Sequence, residues 1–182
     1  MPPTNFETIA YLKTGNPRQQ QAYKVLEKLR IMEKLQEFTP VLTGTIPIGI
    51  DIETSDLDII GSYKTAPDFA TVLQLHFGNQ TGFRIAVKTK RGTETVVAVF
   101  VSGGFVIEIF GQPVPVQQQN AWRHMLIEEA ILQEQGEEFR QQIIGLKKEG
   151  IKTEPAFAQL LGLSGDPYPA LLQYGERFSS FH

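Results

Sequence analysis

Hydrophobic and polar positions follow a helical period at the start of the chain. Between residues 17 and 36 the apolar side chains form one approximate stripe, and the charged side chains lie largely off it. Pro17 suits the first turn of a helix. The pattern predicts a helix over residues 17–36 and a shorter helix over residues 6–13, which Gly15 ends.

The middle of the chain has short apolar runs separated by turn residues, which is the pattern of β-strands. The predicted strands occupy residues 39–45, 57–61, 83–89, 95–101 and 105–110. Ser102-Gly103-Gly104 is a hairpin turn signal that joins the last two strands. A helix is predicted over residues 67–77, where a proline is followed by several apolar side chains.

Beyond residue 116 the pattern is again helical. The predicted helices occupy residues 117–135, residues 137–149, a segment that starts at Thr153, and residues 170–174. Gly150 ends the second of them. Thr153 is a candidate cap for the third, with Pro155 in its first turn.

Strands between two helical regions predict an α+β fold with a mixed or antiparallel sheet. We expect an α/β core over residues 1–116 and a helical C-terminal segment over residues 117–182, packed together as one compact domain. The length of 182 residues, with 41% hydrophobic and 20% charged residues, fits a single soluble globular domain.

The composition excludes several functional classes. Without cysteine the chain has no disulfide, no thiolate zinc site and no cysteine nucleophile. A formal net charge of −3 lacks the basic footprint of a protein that binds long nucleic acid, so no such partner is expected. No apolar run approaches the roughly 18 residues of a membrane helix, and the N-terminus lacks the features of a signal peptide. A cytoplasmic location without membrane contact is therefore expected.

Asp56 and Asp58 are the first candidate site residues. On a strand, residues two apart point to the same face, so their carboxylates would repel each other. A divalent cation removes that repulsion, and Mg²⁺ is typically held by carboxylates together with substrate phosphates. The alternative is a surface turn in which Ser55 and Asp56 form a cap. The apolar residues after Asp56, starting with Leu57, favour the metal or phosphate site.

Glu108 is the third candidate carboxylate. It lies in the middle of an otherwise apolar strand, where burial of a lone carboxylate is costly unless it is paired or bound to a metal. The alternative is a structural ion pair with Arg84 or Arg123.

These residues together resemble a known signature. It consists of a glycine turn, a short spacer, an acid-apolar-acid strand and a third acid between apolar residues, and it is that of the DNA polymerase beta-like nucleotidyltransferase superfamily. The matching residues are Gly44-Thr45, Asp56-Leu57-Asp58 and Glu108 between Ile107 and Ile109. The phrases Gly-Thr-Ile-Pro-Ile-Gly-Ile, Ser-Asp-Leu-Asp-Ile, Glu-Ile-Phe-Gly-Gln and Trp-Arg-His-Met resemble an uncharacterised bacterial family within it. The superfamily motif covers roughly residues 40–110.

The resemblance implies a function. A nucleoside monophosphate would pass from an NTP to a hydroxyl of a small molecule or a protein. Asp56, Asp58 and Glu108 would hold Mg²⁺ or Mn²⁺, and Glu108 is also a possible base for the acceptor hydroxyl. Backbone N–H groups of the Gly44-Thr45 turn and the threonine hydroxyl would contact the phosphates.

The resemblance also leaves a question about phosphate charge. Many members of the superfamily carry a basic residue in the spacer, whereas residues 46–55 contain none. The metals and cations from elsewhere would then neutralise the phosphates, and the candidate phosphate-binding residues are Lys64, Arg84, Lys88, Arg123 and His124. The missing cation also supports an alternative, a catalytically silent member that binds a nucleotide or a partner protein. A third possibility is a structural or interaction protein without a nucleotide.

The remaining polar residues have simpler interpretations. His124 and Glu128 have i,i+4 spacing on one helix face, and we interpret them as a helix-surface hydrogen bond or packing contact because two ligands are too few for a metal. Residues 117–120 are expected to start a helix without chemistry. Asp51 and Glu53 are expected to be solvated.

Overall fold

The first apolar stripe folds as two helices. The computed structural model describes residues 4–90 and 92–178. Helix α1, Pro17–Leu29, begins with a capping box in which Asn16 and Gln19 satisfy each other's backbone N–H groups. It ends earlier than predicted because Arg30 has the left-handed φ of 54°, and helix α2, Ile31–Lys34, follows as a single turn. A 3-10 turn, Gln36–Phe38, completes this region.

The helix predicted over residues 6–13 is shorter than expected. Only a 3-10 turn forms there, Ala10–Thr14, and Gly15 follows its last residue. Helix α3, Ala66–Phe77, is present within one residue of its predicted bounds, and the Thr65 side chain accepts a hydrogen bond from the Asp68 N–H at its start.

All five predicted strands are present, and most of them are longer than predicted. They are β1 (Val41–Thr43), β2 (Leu57–Ser62), β3 (Thr81–Lys90), β4 (Thr93–Ser102) and β5 (Phe105–Gln112). The strands form one mixed sheet in the order β1-β2-β5-β4-β3. The β2–β5 pair is parallel, whereas the other three pairs are antiparallel. This arrangement confirms the predicted α+β fold with a mixed sheet.

The C-terminal region consists of three helices. They are α4 (Asn120–Lys148), α5 (Thr153–Leu161) and α6 (Pro167–Gly175), preceded by a 3-10 turn, Val116–Gln118. Gly136 interrupts α4 with φ 82° and ψ −169°, which agrees with the predicted division into two helical segments. The prediction that Thr153 caps α5 is wrong, because Lys152 occupies that position without a side-chain hydrogen bond.

The sheet separates two hydrophobic clusters. Alternate residues of β2 point to opposite faces, so Ile59 packs with α1 and α3 whereas Ile60 packs with the C-terminal helices. The second cluster also contains Trp122 and Ile131 of α4 and Phe157 of α5. The C-terminal helices therefore cover the face of the sheet that carries Ile60. The domain boundary near residue 116 stays a prediction.

None of the helices in residues 4–90 and 92–178 combines the length and the apolar character needed to cross a membrane.

Candidate active site

The sheet places three polar side chains in one row. Thr43 of β1 is the register partner of Asp58 in β2, and Asp58 is the register partner of Glu108 in β5. Neighbouring strands lie roughly 4.8 Å apart, and register partners share a face of the sheet. Asp56 precedes the first residue of β2. The three predicted carboxylates therefore lie near one another on the face that the C-terminal helices cover.

The glycine turn lies directly against this row. Gly44 has a φ of 81°, and a Cβ atom there would lie 2.5 Å from Oδ2 of Asp58. Only glycine permits this approach and this backbone conformation together. The Thr45 hydroxyl donates a hydrogen bond to the Ser55 hydroxyl at 3.2 Å, which connects the turn to the residue before Asp56.

The electrostatics of the site favour a cation. Burial, followed by the charges of Asp56, Glu108 and Glu154, raises the pKa of Asp58 to about 8, and Lys147 acts in the opposite direction. Burial and the neighbouring carboxylates thus disfavour a charged Asp58 when no cation is bound, which is an electrostatic imbalance within the site. A divalent ion with a preference for oxygen ligands would remove this imbalance.

The chemical nature of the side chains favours a metal at this site, whereas their positions do not. Three carboxylates supply the hard oxygen ligands that Mg²⁺ and Mn²⁺ prefer. Within residues 4–90 and 92–178, however, no group of three or more His, Cys, Asp or Glu side chains is arranged so that it could hold a metal ion. The residues fit the ion by donor chemistry and mutual repulsion, and binding would require their side chains to move together.

The row opens into a cavity of about 1260 Å³ between the sheet and the C-terminal helices. Gly44, Thr45 and the three carboxylates line one side of it. The face of α4 that contains His124 and the start of α5 line the other side. A small molecule of nucleotide size fits a cavity of this volume.

Three lysines that the sequence analysis missed supply positive charge to this cavity. Lys147, Lys148 and Lys152 line it, all from the end of α4 and the loop to α5. Lys147 is only 7% exposed, and its Nζ donates a hydrogen bond to the Ile50 carbonyl at 2.7 Å. Burial lowers the pKa of Lys147 to about 8, against the effect of nearby carboxylates. The sequence does contain a signal for Lys147. It lies four positions after Ile143, which lies four positions after Phe139, so the lysine continues the apolar spacing of this helix.

Long side chains also fix the spacer before Asp56. Its carbonyl groups accept hydrogen bonds from α1 and α4, and the donors are Arg18, Gln19, Arg140 and Lys147. Arg18 Nη2 reaches the carbonyls of Glu53 at 3.2 Å and Ser55 at 3.3 Å. The guanidinium also lies 3.7 Å from the centre of the Phe105 ring. The spacer contains no basic residue, but basic side chains of the neighbouring helices donate hydrogen bonds to its carbonyl groups.

His124 and Glu128 are not at the helix surface, so the helix-surface alternative is wrong, whereas the packing alternative agrees with their burial. They are 5% and 3% exposed, and both line the cavity. His124 Nε2 lies 3.1 Å from the Tyr168 carbonyl, and Nδ1 lies 3.5 Å from Oε1 of Glu154. A carbonyl only accepts, so Nε2 carries a proton. Burial and the charge of Glu154 raise the pKa of Glu128 well above its usual range, and Lys147 opposes this.

Gln119 also lines the cavity, although residues 117–120 were expected to be without chemistry. Its Nε2 donates to the carbonyls of Gly61 at 2.9 Å and Val114 at 3.1 Å. Its Oε1 is buried and has no hydrogen-bond partner among the described residues.

Comparison with known proteins identifies the family. Residues 24–174 match the family described as a domain of unknown function, DUF4269. The chain belongs to the DUF4269 family. No curated protein matches the chain.

Several solved structures resemble this DUF4269 protein. Cid1 poly(U) polymerase bound to MgGTP has a TM-score of 0.54 at 11% identity, with 73% of this chain and 42% of that chain covered. The same polymerase bound to Mg 3′-dATP has a TM-score of 0.55 at 12% identity, covering 86% and 48%. Cid1 with the UTP analogue UMPNPP has a TM-score of 0.50 at 15% identity, covering 73% and 40%.

The DUF4269 chain thus spans less than half the length of these polymerases. At such identities the likeness concerns the fold alone, which resembles that of these polymerases. The predicted fold class is confirmed at this level.

Four of the predicted phosphate-binding residues lie away from the cavity of the DUF4269 protein. They are exposed and do not line it: Lys64, Arg84, Lys88 and Arg123. Arg84 is in the edge strand β3 and is the register partner of Val99, which pairs with Glu108. It therefore lies two strands, or roughly 10 Å, from Glu108 on the same face. His124 does line the cavity.

Proposed function

We propose that the protein is a metal-dependent nucleotidyltransferase that moves a nucleoside monophosphate from an NTP to a hydroxyl of a small molecule or a protein. The observation that carries the proposal is the register pairing of Asp58 with Glu108. Gly44 lies directly against the carboxylate of Asp58. The nucleotidyltransferase fold of the chain supports it. The cavity gives the substrates room beside these residues.

Each part of the site has a role in this proposal. Backbone N–H groups of Gly44 and Thr45 bind phosphate oxygens, as in other anion-binding turns. Asp56, Asp58 and Glu108 hold Mg²⁺ or Mn²⁺, which supplies charge neutralisation of the phosphates and activation of the acceptor hydroxyl when bound. The Cid1 structures with MgGTP and Mg 3′-dATP support an NTP as the partner.

The reaction is an in-line substitution at phosphorus. The acceptor oxygen attacks the α-phosphorus, and a new oxygen–phosphorus bond forms. The bond from the α-phosphorus to the oxygen that bridges to the β-phosphorus breaks, and pyrophosphate leaves. Glu108 accepts the hydroxyl proton, which is its proposed role as base.

The cations of the C-terminal helices take the place of a spacer cation. Lys147, Lys148 and Lys152 line the cavity and would bind the β- and γ-phosphates. Lys64, Arg84 and Arg123 would reach a phosphate only after movement of the chain. His124 would hold α5 and α6 in place through Glu154 and the Tyr168 carbonyl.

Label transfer tests the proposal. The full chain is incubated with each α-³²P-NTP, Mg²⁺ or Mn²⁺, and three acceptor sources: a cell extract of small molecules, the protein itself and an RNA oligonucleotide. We expect metal-dependent transfer that Asp58→Asn lowers by at least ~100-fold, since a ligand to the metal is lost. Glu37→Gln, an exposed carboxylate change outside the cavity, is the control. Full activity of Asp58→Asn would contradict the proposal.

A second function is favoured by one observation. Because no group of three or more potential ligands among the described residues is arranged to hold a metal, the protein could bind a nucleotide without transferring it. A silent protein of this kind is stabilised against heat by NTP, because any ligand of the folded state stabilises it. Such a protein transfers no label from the α-³²P-NTP to an acceptor. Both functions therefore predict nucleotide binding, and only the first predicts turnover.

A further inference from the structure

Strand β3 has one open edge. It is the last strand in the order β1-β2-β5-β4-β3, and β4 pairs with one side of it. No segment of residues 4–90 and 92–178 pairs with its other side. The strand is ten residues long, and its pairing with β4 is regular from Arg84 to Lys90. Alternate residues of an edge strand turn their N–H and C=O groups outward, so this edge can accept a further strand.

An apolar groove lies beside this edge, on the face of the sheet that α3 covers. This edge groove has a volume of about 490 Å³. The residues that line it are Ala70, Thr71, Gln74, Leu75 and Ile85. Leu75 is 74% exposed, and Val87, two positions after Ile85 on the same face of β3, is 54% exposed. Apolar side chains grouped in this way beside a groove are typical of an interaction surface.

The opposite face of the same edge is cationic. Arg84 and Lys88 are exposed on β3, with Ala86 between them. Neither cation has an ion-pair partner among the residues that the structure describes. Their register partners on β4 are Val99 and Thr95, which carry no charge. A further strand with acidic side chains on this face would place them opposite the two cations.

The cations also disfavour a second copy of this chain as the occupant. In a symmetric antiparallel pair centred on Ala86, Arg84 of one copy lies opposite Lys88 of the other. If the centre moves by one residue in either direction, one of the two cations lies diagonal to its own copy. Like charges that face each other across a strand pair are destabilising, and basic residues on an edge strand discourage pairing between identical edges. Charge complementarity therefore favours an acidic segment of a different protein.

We propose that β3 binds an extended segment of a partner protein by strand addition, and that the side chains of this segment follow the order acid-apolar-any-apolar-acid. The acids lie opposite Arg84 and Lys88, and the apolar side chains lie opposite Ile85 and Val87, beside the edge groove. Main-chain hydrogen bonds to the open edge supply affinity, and the side chains supply specificity. The order is the same in both directions, so it applies to parallel and antiparallel addition.

Binding at this edge is independent of the proposed transfer, since no described residue of β3 lines the cavity. It is measured with the full chain and labelled synthetic peptides by fluorescence anisotropy in about 50 mM salt. The acidic peptide carries Glu-Val-Thr-Leu-Glu between neutral polar ends, and the matched peptide has lysine at both acidic positions. We expect saturable binding of the acidic peptide, at least ~10-fold tighter than that of the lysine peptide, because two cross-strand pairs change from attractive to repulsive. About 1 M salt should reduce this difference.

Variants of exposed residues locate the binding surface. Arg84→Glu combined with Lys88→Glu should reverse the preference, so that the lysine peptide binds more tightly than the acidic one. Lys24→Glu combined with Lys28→Glu is the matched control, because these exposed lysines are four positions apart on α1. It should keep the native preference. Leu75→Ser should weaken binding of the acidic peptide by about 3-fold or more through the lost apolar contact, and the exposure of Leu75 keeps the fold intact.

N-methylated forms of the acidic peptide distinguish strand addition from other modes of binding. Alternate amides of a strand point to the neighbouring strand, so methyl groups on one alternate set should abolish binding and those on the other set should not. Absence of saturable binding, equal effects of the two sets, or an unchanged preference in the Arg84→Glu and Lys88→Glu double variant would each overturn the proposal. So would a dimer of the free chain in sedimentation that Leu75→Ser weakens, because the edge would then bind a second copy.

Discussion

Asp58 and Glu108 are register partners on the adjacent parallel strands β2 and β5, although they are fifty positions apart in the sequence. A parallel pair needs a crossover, and α3, β3 and β4 provide it. The two carboxylates consequently share the face of the sheet that α4 covers.

The effect of the close approach of Gly44 to Asp58 on nucleotide binding can be measured separately from the effect of backbone strain. Gly44→Ala adds a Cβ 2.5 Å from Oδ2 of Asp58, at a φ of 81°. Gly82→Ala is the matched control, because Gly82 has a φ of 69° and open space around its Cβ position. Both changes should cost about 1–2 kcal/mol of unfolding free energy through the left-handed backbone. Only Gly44→Ala should abolish Mn²⁺-dependent NTP binding in calorimetry, and equal binding by both variants would refute the role of the turn.

Lys147 is expected to be the principal protein cation for the phosphates. Lys147→Met keeps most of the buried stem and removes the charge and the hydrogen bond to Ile50. We expect NTP affinity in the presence of Mn²⁺ to fall at least ~10-fold, corresponding to about 1.4 kcal/mol. Lys28→Met on the exposed side of α1 is the control and should leave the affinity unchanged. An unaltered dissociation constant for Lys147→Met would show that the phosphates bind elsewhere.

Stability should depend on pH through Glu128. Because burial and Glu154 raise the pKa of Glu128 well above 4.5, the folded chain keeps a proton that the unfolded chain releases as pH rises above that value. Unfolding free energy is therefore lost with rising pH, from the ordinary pKa up to the raised one, while Lys147 limits the effect. Glu128→Gln removes this loss. In urea titrations it should match the native chain at pH 4 and exceed its stability at pH 8.

The control for this pH experiment is Glu37→Gln, an exposed change outside the cavity. Its difference from the native chain should be the same at pH 4, 6 and 8. A Glu128→Gln difference that likewise stays constant over this range would contradict the assignment of the buried carboxylate.

Arg18 is expected to be a positioning residue for Asp56. Its guanidinium holds the carbonyls of Glu53 and Ser55 and stacks on Phe105. Arg18→Lys keeps the charge but loses the planar fork that contacts both carbonyls. Hydrogen exchange of residues 53–56 should become faster, and Mn²⁺ affinity should fall by about 3–10-fold. Unchanged exchange in Arg18→Lys would mean that the spacer is held by its other contacts.

The sequence predicted the sheet and its carboxylates well because both follow from local rules. Alternation in β2 and β5 places an acid on each strand among apolar residues, and Gly44 stands at the turn before them. The hairpin at residues 102–104 follows from its two glycines.

The missed features depend on contacts between distant segments. Arg30 breaks the first helix because its left-handed conformation turns the chain, so that Ile31 and Leu35 are both buried. No periodic pattern encodes that change of direction. Lys147 reaches the spacer from nearly one hundred positions away, and Glu128 is buried in the folded chain. The cations that line the cavity therefore come from the end of α4 and the loop to α5, and not from the basic residues that the sequence indicated.

Anomalous scattering from a crystal soaked with Mn²⁺ and a non-hydrolysable NTP tests the central claim most directly. The account predicts a manganese peak between Asp56, Asp58 and Glu108, with the nucleotide phosphates against the Gly44-Thr45 turn. The same soak of Asp58→Asn should lose the peak. Nucleotide bound without manganese at these carboxylates, or manganese bound at another place in the cavity, would contradict the account.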